Sequence, residues 1–464
     1  MQRFFLGSKR RLATGLSTAA VLSLLAPLTS AQADEGQHAQ QVEGYVQPIG
    51  SEPLTLSELR GPDGMRRLHA LQDKESSLPL LPRETVGQAR SFAPLSQKAS
   101  AQSEGIDRGK SSAVSLPEPS HGMELQECIK HLGSSKFYVK SRYAVCSGQT
   151  FSQVWIRDGD PVGTSQFDVI VIGTIPKDSR TMTATYYYTG FTAAGINAAR
   201  QLGITTKASI PKTWPSRVKI IKGGDKLPKT KTWQELLDGR TIHQTINVPS
   251  GQTGTSGPKT RLIASVYQPS ISLKDPPGWT SPGLGGDIFM LPPRWDQATY
   301  LPKSAGAAVF SVLTSLRYHT ASSAPEHEVA SHIKKAYTKP GQTRPPFSRK
   351  KLPGKTSSAP LTRLYWDGKR REKIRNRAVY NCTKYWGRDY SKGGKRECDE
   401  FPFASTYEGA AGSVYNPRQD PLNFSVMPVS KKSNGAAGNL LLQYYKLNRI
   451  IDGPDDGFMV NISS

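Results

Sequence analysis

The sequence predicts an α+β protein in which an antiparallel β-rich domain precedes a smaller C-terminal unit of mixed strands and helix. Residues 124–338 hold short β-branched or aromatic segments bounded by Gly, Pro, Asp or Ser, such as FDVIVIGTI and TMTATYYYTGF. We expect this region to form a sandwich. Residues 363–464 hold a strand that ends at a proline, an apolar helix stripe and a closing strand, DGFMVNI. The 464 residues exceed the roughly 100–200 residues of one domain.

The N-terminal 120 residues are predicted to lack a fold of their own. Residues 1–33 combine a basic start, an apolar run and the small residues AQA, which is the pattern of a secretory signal peptide. Residues 34–120 are rich in Pro, Ser, Gln and Gly, which is typical of a disordered leader or pro-segment with short helical patches. No other run approaches the roughly 20 apolar residues that span a bilayer. We therefore expect a secreted, extracellular protein without stable membrane association.

The four cysteines of a secreted chain are expected to pair, and four cysteines allow three connectivities. Cys128 lies near Cys146 in the sequence, and Cys382 lies near Cys398. We prefer this local pairing, and closing a loop as short as the second one contributes about 3 kcal/mol in the chain-entropy model. Neither pair has the CxxC spacing of a zinc site. The second bridge is expected to hold the acidic segment that follows Cys398.

Two segments before residue 363 receive structural interpretations. HEVASH at 327–332 is not the metal-binding HExxH motif, because histidines five residues apart diverge by about 140° around a helix. We expect a short surface or connecting helix there. Residues 339–362 are basic and rich in Pro, Gly and Ser, which predicts a linker.

The formal net charge of +24 favours polyanionic partners such as nucleic acid, anionic membranes or wall polymers. Lysines and arginines are densest between Lys369 and Arg396, where tyrosines and a tryptophan are interleaved. A phosphate backbone and its bases need such a mixture, although a run of charge can also be a solvated face. We predict nucleic-acid contacts at Arg370, Arg371, Lys373, Arg375, Arg377, Lys395 and Arg396.

Acidic residues follow this basic segment directly. Asp399 and Glu400 lie in CDEFP, where Pro402 should end a strand, and Glu408 lies in EGAAG. In KKSNGAAGNLLLQYY, Ser433 or Asn434 is the expected helix cap. Carboxylates can deprotonate water or hold a divalent cation, and an asparagine carbonyl is a ligand for a hard cation. The structural alternatives are surface charge for the acid pair and a turn for Asn-Gly.

Residues 365–463 resemble the secreted NucA/NucB-type deoxyribonucleases in the stretches CDEFPFAST, EGAAG, NGAAG and RIIDGPDDGFMV. The resemblance implies a small ββα-metal nuclease domain that uses one divalent cation, Mg²⁺ or Mn²⁺, to cut DNA without sequence preference. It implies Asp399 as the general base in place of the usual histidine, with Glu400 able to take or share the role. Glu408 would be a second acid of the site and Asn434 the metal ligand. Ala410 and the missing Arg after Asn434 depart from the family pattern.

The expected function is therefore that of a secreted, metal-dependent, sequence-non-specific endonuclease that hydrolyses DNA phosphodiester bonds. DNA is the expected partner, and RNA stays open as a second substrate. The alternative is an extracellular DNA-binding or attachment protein with an inactive nuclease-like domain. The role of the β-rich domain is not indicated by its residues.

Overall fold

The first described segment is ordered, although it falls within the leader that we expected to be disordered. The structure is a computed structural model that describes residues 40–76, 115–133, 137–255, 260–281 and 283–464. Its first elements are the strand Gln40–Gln47 (β1) and the helices Leu56–Leu59 (α1), Gly64–Ser76 (α2) and Leu125–Leu132 (α3). The predicted signal peptide and the leader residues 77–114 lie outside the described residues.

Strand β1 corrects the expectation of disorder for residues 40–76. Val42 is fully buried in the core of the β-rich region, and Tyr45 is buried on the opposite face of the strand. The Tyr45 hydroxyl accepts a hydrogen bond from the amide of Leu54 at 2.9 Å, which fixes the chain before α1. Composition predicted disorder because it averages over the segment, whereas this strand is held by its pairing with β3 and by apolar side chains buried on both faces.

The region that follows is built from strands. Its elements are Phe137–Ser141 (β2), Ala144–Arg157 (β3), Asp160–Thr174 (β4), Thr181–Ala194 (β5), Gly203–Trp214 (β6), Ile221–Gly224 (β7), Lys229–Thr232 (β8), the short helix Trp233–Leu236 (α4), Ile242–Asn247 (β9), Ile263–Lys274 (β10), Gly285–Asp287 (β11), Pro293–Trp295 (β12) and Ala308–Phe310 (β13).

These strands form two antiparallel sheets around one core, in agreement with the predicted antiparallel β-rich region. Within the described residues, one sheet has the order β1-β3-β4-β5-β9-β7 with β2 on β3, and the other has the order β13-β12-β10-β6-β8 with β11 on β10. Apolar side chains alternate inward, as Phe167, Val169 and Val171 do along β4. The hydroxyls of Tyr186 on β5 and Tyr267 on β10 lie 2.8 Å apart, so the two sheets also share a buried hydrogen bond.

The C-terminal region mixes helices with short strands. Its elements are Thr314–His319 (β14), His327–Thr338 (α5), Leu361–Thr362 (β15), Gly368–Trp386 (α6), Arg396–Phe401 (β16), Gly412–Tyr415 (α7), Ser425–Ser430 (β17), Lys431–Leu447 (α8) and Gly457–Ser463 (β18). Strand β18 pairs in parallel with β14 and antiparallel with β15, and β16 pairs antiparallel with β17.

Strand β14 and helix α5, which precede residue 363, pack with the elements of the C-terminal unit. Strand β14 pairs with the last strand of the chain, and α5 buries Val329, Ala330 and Ile333 in the same core as Leu440 of α8. Helix α5 is therefore part of this core and not the surface or connecting helix that we expected. Sequence spacing located the helix correctly, but it could not show which sheet the apolar face of the helix covers.

Residues 339–362 are packed against the C-terminal unit and do not form a free linker. Arg344 forms a backbone bridge with Val426 of β17, and Leu361 is fully buried in β15. Lys350 is also buried, and desolvation together with the nearby Arg344 lowers its pKa to about 8. Pro, Gly and Ser prevent a regular helix here, but a few anchored side chains and one strand bridge hold the segment in place.

Buried ion pairs join the β-rich region to the C-terminal unit, and Ala39–Ser464 is one compact unit. Asp456 lies 2.9 Å from Arg142 and 2.6 Å from Arg294, and Arg449 lies 2.6 Å from Asp296. All five side chains are at most 6% exposed. Buried charges are tolerated only when they are paired, so each region supplies charges that the other neutralises.

Both local cysteine pairs are present, as predicted. Cys128 of α3 is bonded to Cys146 of β3, and Cys382 of α6 is bonded to Cys398 of β16, with Cα atoms 6.1 Å apart in each bridge. The second bridge holds α6 against the strand that carries the acidic motif. Among the described residues, no helix has the length and apolar content needed to cross a membrane.

Candidate functional site

The two-stranded sheet β16–β17 places the acidic motif, and α8 follows it without a loop. Asp399 lies opposite Met427 in the register, and Glu400 lies opposite Val426. Strand β16 ends at Phe401, directly before Pro402, as the sequence predicted. Because side chains alternate along a strand, Asp399 and Glu400 point to opposite faces of the sheet. The two candidate bases therefore have different environments.

Asp399 faces α5, where it meets a histidine that sequence analysis did not assign to the site. Nδ1 of His332 lies 2.6 Å from Oδ2 of Asp399, and Nε2 lies 2.7 Å from Oγ of Ser425. A neutral imidazole that donates through Nδ1 accepts the Ser425 hydroxyl proton at Nε2. His332 is 1% exposed and Asp399 is 6% exposed. The CDEFP motif contains no histidine. The histidine that contacts Asp399 comes from α5, in another part of the chain.

Glu397 and Asn434 form a second contact on this same face. Glu397 precedes Asp399 by two residues, so both side chains point to the same side of β16, about 7 Å apart along the strand. Nδ2 of Asn434 donates to Oε2 of Glu397 at 2.8 Å. The cap of α8 is Ser430, whose side chain accepts from the amide of Ser433, and not Ser433 or Asn434 as expected. Asn434 therefore lies within the first turns of the helix.

Glu400 faces α6 and is the most perturbed acid of the motif. It is 8% exposed, and its Oε2 has no hydrogen-bond partner among the described residues. Burial raises the pKa of Glu400 to about 8, against the opposing effect of Arg375 and with a further increase from Asp399. A carboxyl in this state is protonated at neutral pH. In its neutral form Glu400 supports the structure as a buried acid. In its ionised form it can accept a proton.

Glu408 is hydrogen-bonded to Thr362 of the neighbouring strand β15. Its carboxylate accepts hydrogen bonds from the Thr362 amide at 3.0 Å and from the Thr362 hydroxyl at 2.6 Å. Burial raises the pKa of Glu408, and the bonds from Thr362 oppose this effect. Its hydrogen bonds serve β15, whereas Asp399 is bonded to α5. No group of three or more His, Cys, Asp or Glu side chains that could hold a metal occurs within the described ranges.

The predicted nucleic-acid contacts fall into two sets. Arg371, Lys373, Arg375 and Lys395 are exposed. The other three are half-buried and bonded within the protein: Arg370 donates to the Tyr407 carbonyl at 2.7 Å, Arg377 donates to the Pro421 carbonyl at 2.9 Å, and Arg396 pairs with Glu328 at 2.9 Å. The second set is therefore less available to a ligand than the first.

Helix α6 carries seven lysines and arginines against the single acid Glu372. Among the described residues, none of the seven forms an ion pair with a carboxylate. Several lie against aromatic rings instead, including Arg371 at 5.9 Å from the Tyr365 ring and Arg377 at 5.6 Å from the Phe424 ring. Within the described residues, the positive charge of the helix is thus not neutralised by ion pairs.

Sequence reasoning missed His332 and Glu397. Glu397 had a usable signal, since a residue two positions before Asp399 in a strand shares its face. His332 had a weaker signal, because it lies among the apolar residues of α5 that became buried. In comparisons with known proteins, no family model matches this chain and no curated protein matches it significantly. The resemblance to NucA/NucB-type nucleases therefore stays a prediction from the motifs.

Proposed function

We propose that this chain is a secreted, metal-dependent endonuclease that hydrolyses DNA phosphodiester bonds without sequence preference. The observation that carries the proposal is the α5–α8 face of β16. There Asp399 is held by His332, two residues from the Glu397–Asn434 pair. A proton acceptor and oxygen donors for a cation are thus present on one face of β16. The motif resemblance, from which the roles of Asp399 and Asn434 are taken, supports the same activity.

Asp399 is the general base in this proposal, and His332 positions it. The imidazole occupies Oδ2 of Asp399, so Oδ1 is the oxygen that takes the proton of the attacking water. The contact to Ser425 fixes the ring from its other side. A base held in one orientation loses less entropy when the substrate binds. His332 acts through Asp399 and does not itself meet the substrate.

Glu397 and Asn434 would hold the divalent cation, Mg²⁺ or Mn²⁺. One carboxylate and one amide oxygen fit a hard cation of this kind, since Mg²⁺ keeps several waters and takes further oxygens from substrate phosphates. When bound, the cation would neutralise charge on the phosphate and on the leaving oxygen. The exposed side chains of Lys395, Lys431 and Lys432 lie at the junction of β16, β17 and α8 and would contact the DNA backbone.

Secretion is part of the proposal because both disulfides belong to an oxidising compartment. The N-terminal pattern of the sequence supports the same location. In the secreted fraction of cells that express the full gene, the mature protein should carry both bridges.

A plasmid-nicking assay tests the activity. Wild-type protein should nick supercoiled DNA with Mg²⁺ or Mn²⁺ and should stop with EDTA. Asp399→Asn should reduce the rate by about 10²–10⁴, the usual contribution of a general base, and should leave DNA binding intact. Glu397→Gln and Asn434→Ala should raise the Mg²⁺ concentration needed for half-maximal rate. Glu372→Gln is the control, since Glu372 is an exposed acid of α6 outside the predicted site, and it should keep the wild-type rate. Wild-type rates from Asp399→Asn would refute the assignment.

The second candidate is a DNA-binding or attachment protein without cleavage. It is favoured by the burial of the His332–Asp399 pair, which restricts the access of water, and by the unpaired cations of α6. The two functions separate in one experiment. Binding without any metal-dependent nicking selects the second candidate.

A further inference from the structure

Exposed aromatic side chains are concentrated at the basic helix α6. In the described part of the chain, the exposed large aromatics are Trp366, Tyr380, Trp386 and Tyr415, which are between 40% and 65% exposed. Tyr380 and Trp386 belong to α6, Trp366 directly precedes it, and Tyr415 lies against it through Arg370. Large aromatic rings normally bury most of their surface, so exposed rings along and beside one basic helix indicate a binding surface.

One stripe of exposed side chains along α6 contains both lysines and a tyrosine ring. At 100° per residue, Lys369, Lys373, Tyr380 and Lys384 fall within about 60° of one another around the helix. All four are exposed, and Tyr380 is 65% exposed. The opposite side of the helix buries Ile374, Ala378 and Cys382. The stripe spans about 22 Å at 1.5 Å per residue.

Tyr415 extends the stripe as a fixed platform. The guanidinium of Arg370 lies 4.2 Å from the centre of the Tyr415 ring, and Nζ of Lys373 lies 5.7 Å from it. Arg370 is itself fixed, because it donates to the Tyr407 carbonyl and lies 4.8 Å from the Tyr407 ring. The ring of Tyr415 is therefore held in place while 42% of the residue stays exposed.

We infer that the surface formed by Lys369, Lys373, Tyr380, Lys384 and Tyr415 binds single-stranded DNA. Lysines along the stripe neutralise phosphates, and the tyrosine rings stack on bases, which requires bases that are not enclosed in a duplex. An interfacial membrane helix separates its cations from its aromatic rings on opposite faces, whereas here they alternate on one face. The inference takes from the proposed function only that DNA is the ligand, and it does not depend on cleavage.

Fluorescence anisotropy of the full chain in EDTA tests this inference. The probes are a dT₁₂ oligomer, an abasic oligomer with the same number of phosphates, and a 12-base-pair duplex. Wild-type protein should bind dT₁₂ at least about fivefold more tightly than the abasic oligomer and the duplex. Base–aromatic stacking predicts that Tyr380→Ala weakens dT₁₂ binding by about 5- to 100-fold without affecting the abasic oligomer. Tyr380→Phe should keep wild-type affinity.

Leu442→Ala is the matched control, because Leu442 is 46% exposed on α8 and lies outside the surface. It should bind all three probes as wild type does. Equal affinity for dT₁₂ and the abasic oligomer would overturn the inference, and so would tighter binding to the duplex or to phosphatidylserine vesicles. Nicking is measured separately with Mg²⁺, so an inactive protein that prefers dT₁₂ would refute the proposed function and leave this inference standing.

Discussion

Glu400→Gln separates a structural role of the buried carboxyl from a catalytic one. Glu400 is almost fully buried under α6, and its pKa of about 8 lies well above the ordinary value of 4.5. The folded state therefore binds the proton more tightly than the unfolded chain does. The resulting stabilisation is fully present below pH 4.5 and is lost as the pH rises through 8, when the buried group must ionise. Raising a pKa from 4.5 to about 8 corresponds to about 5 kcal/mol.

Glutamine keeps the neutral shape of the protonated acid at every pH. The free energies of unfolding of Glu400→Gln and wild type should therefore differ by less than about 1 kcal/mol at pH 5. At pH 9 the variant should be the more stable protein by about 5 kcal/mol. Urea denaturation at the two pH values measures the difference, provided that the m-value is unchanged. Glu372→Gln, on the exposed side of α6, should change stability by less than about 0.5 kcal/mol at either pH.

If the free energies of unfolding of Glu400→Gln and wild type fell by the same amount from pH 5 to pH 9, the argument from burial would be refuted. Nicking activity gives the second result. If Asp399 is the base, Glu400→Gln keeps its activity. If the variant loses activity while Asp399→Asn keeps it, Glu400 is the base. The wild-type rate should then rise with pH toward 8, because only the ionised carboxylate accepts a proton.

Two further predictions concern stability. Asp456→Asn leaves the buried Arg142 and Arg294 without their shared partner. It should lower the free energy of unfolding, measured in urea, by about 3–5 kcal/mol. Asp63→Asn breaks an exposed pair and should lower it by less than about 1 kcal/mol. Equal effects of the two variants would contradict the role of buried ion pairs between the regions. Cys382→Ser opens a bridge with a sequence separation of 16 and should lower the free energy of unfolding by about 3 kcal/mol. If the variant kept the urea midpoint of the wild type, the bridge would not restrain the unfolded chain.

The sequence predicted the features that depend on local pattern. Alternating apolar residues and turn residues gave the strands of the two sheets, as in β4, because a strand that covers a core must be apolar at every second position. The proline that follows Phe401 predicted where β16 ends. The cysteine pairs followed from short separations along the chain. The basic character of α6 was visible in its composition, since charge does not depend on folding.

The sequence analysis failed where residues distant in the chain form one structure. A strand within the expected leader joins the first sheet because it pairs with β3 and buries Val42 on one face and Tyr45 on the other, which an averaged composition cannot show. Strand β14 was assigned to the β-rich domain, yet its partner is the last strand, more than 130 residues later. Pairing over such distances leaves no local signal.

The candidate site shows the same division. The sequence placed Asp399 next to Glu400, and the alternation of a strand then separates them onto opposite faces. Which face meets which helix was decided by the packing of α5 and α6 on the two sides of the β16–β17 sheet. His332 lies 67 residues before Asp399, and no spacing rule connects the two. Only the fold brings the imidazole to the carboxylate, because the apolar face of α5 must be buried and carries the histidine with it.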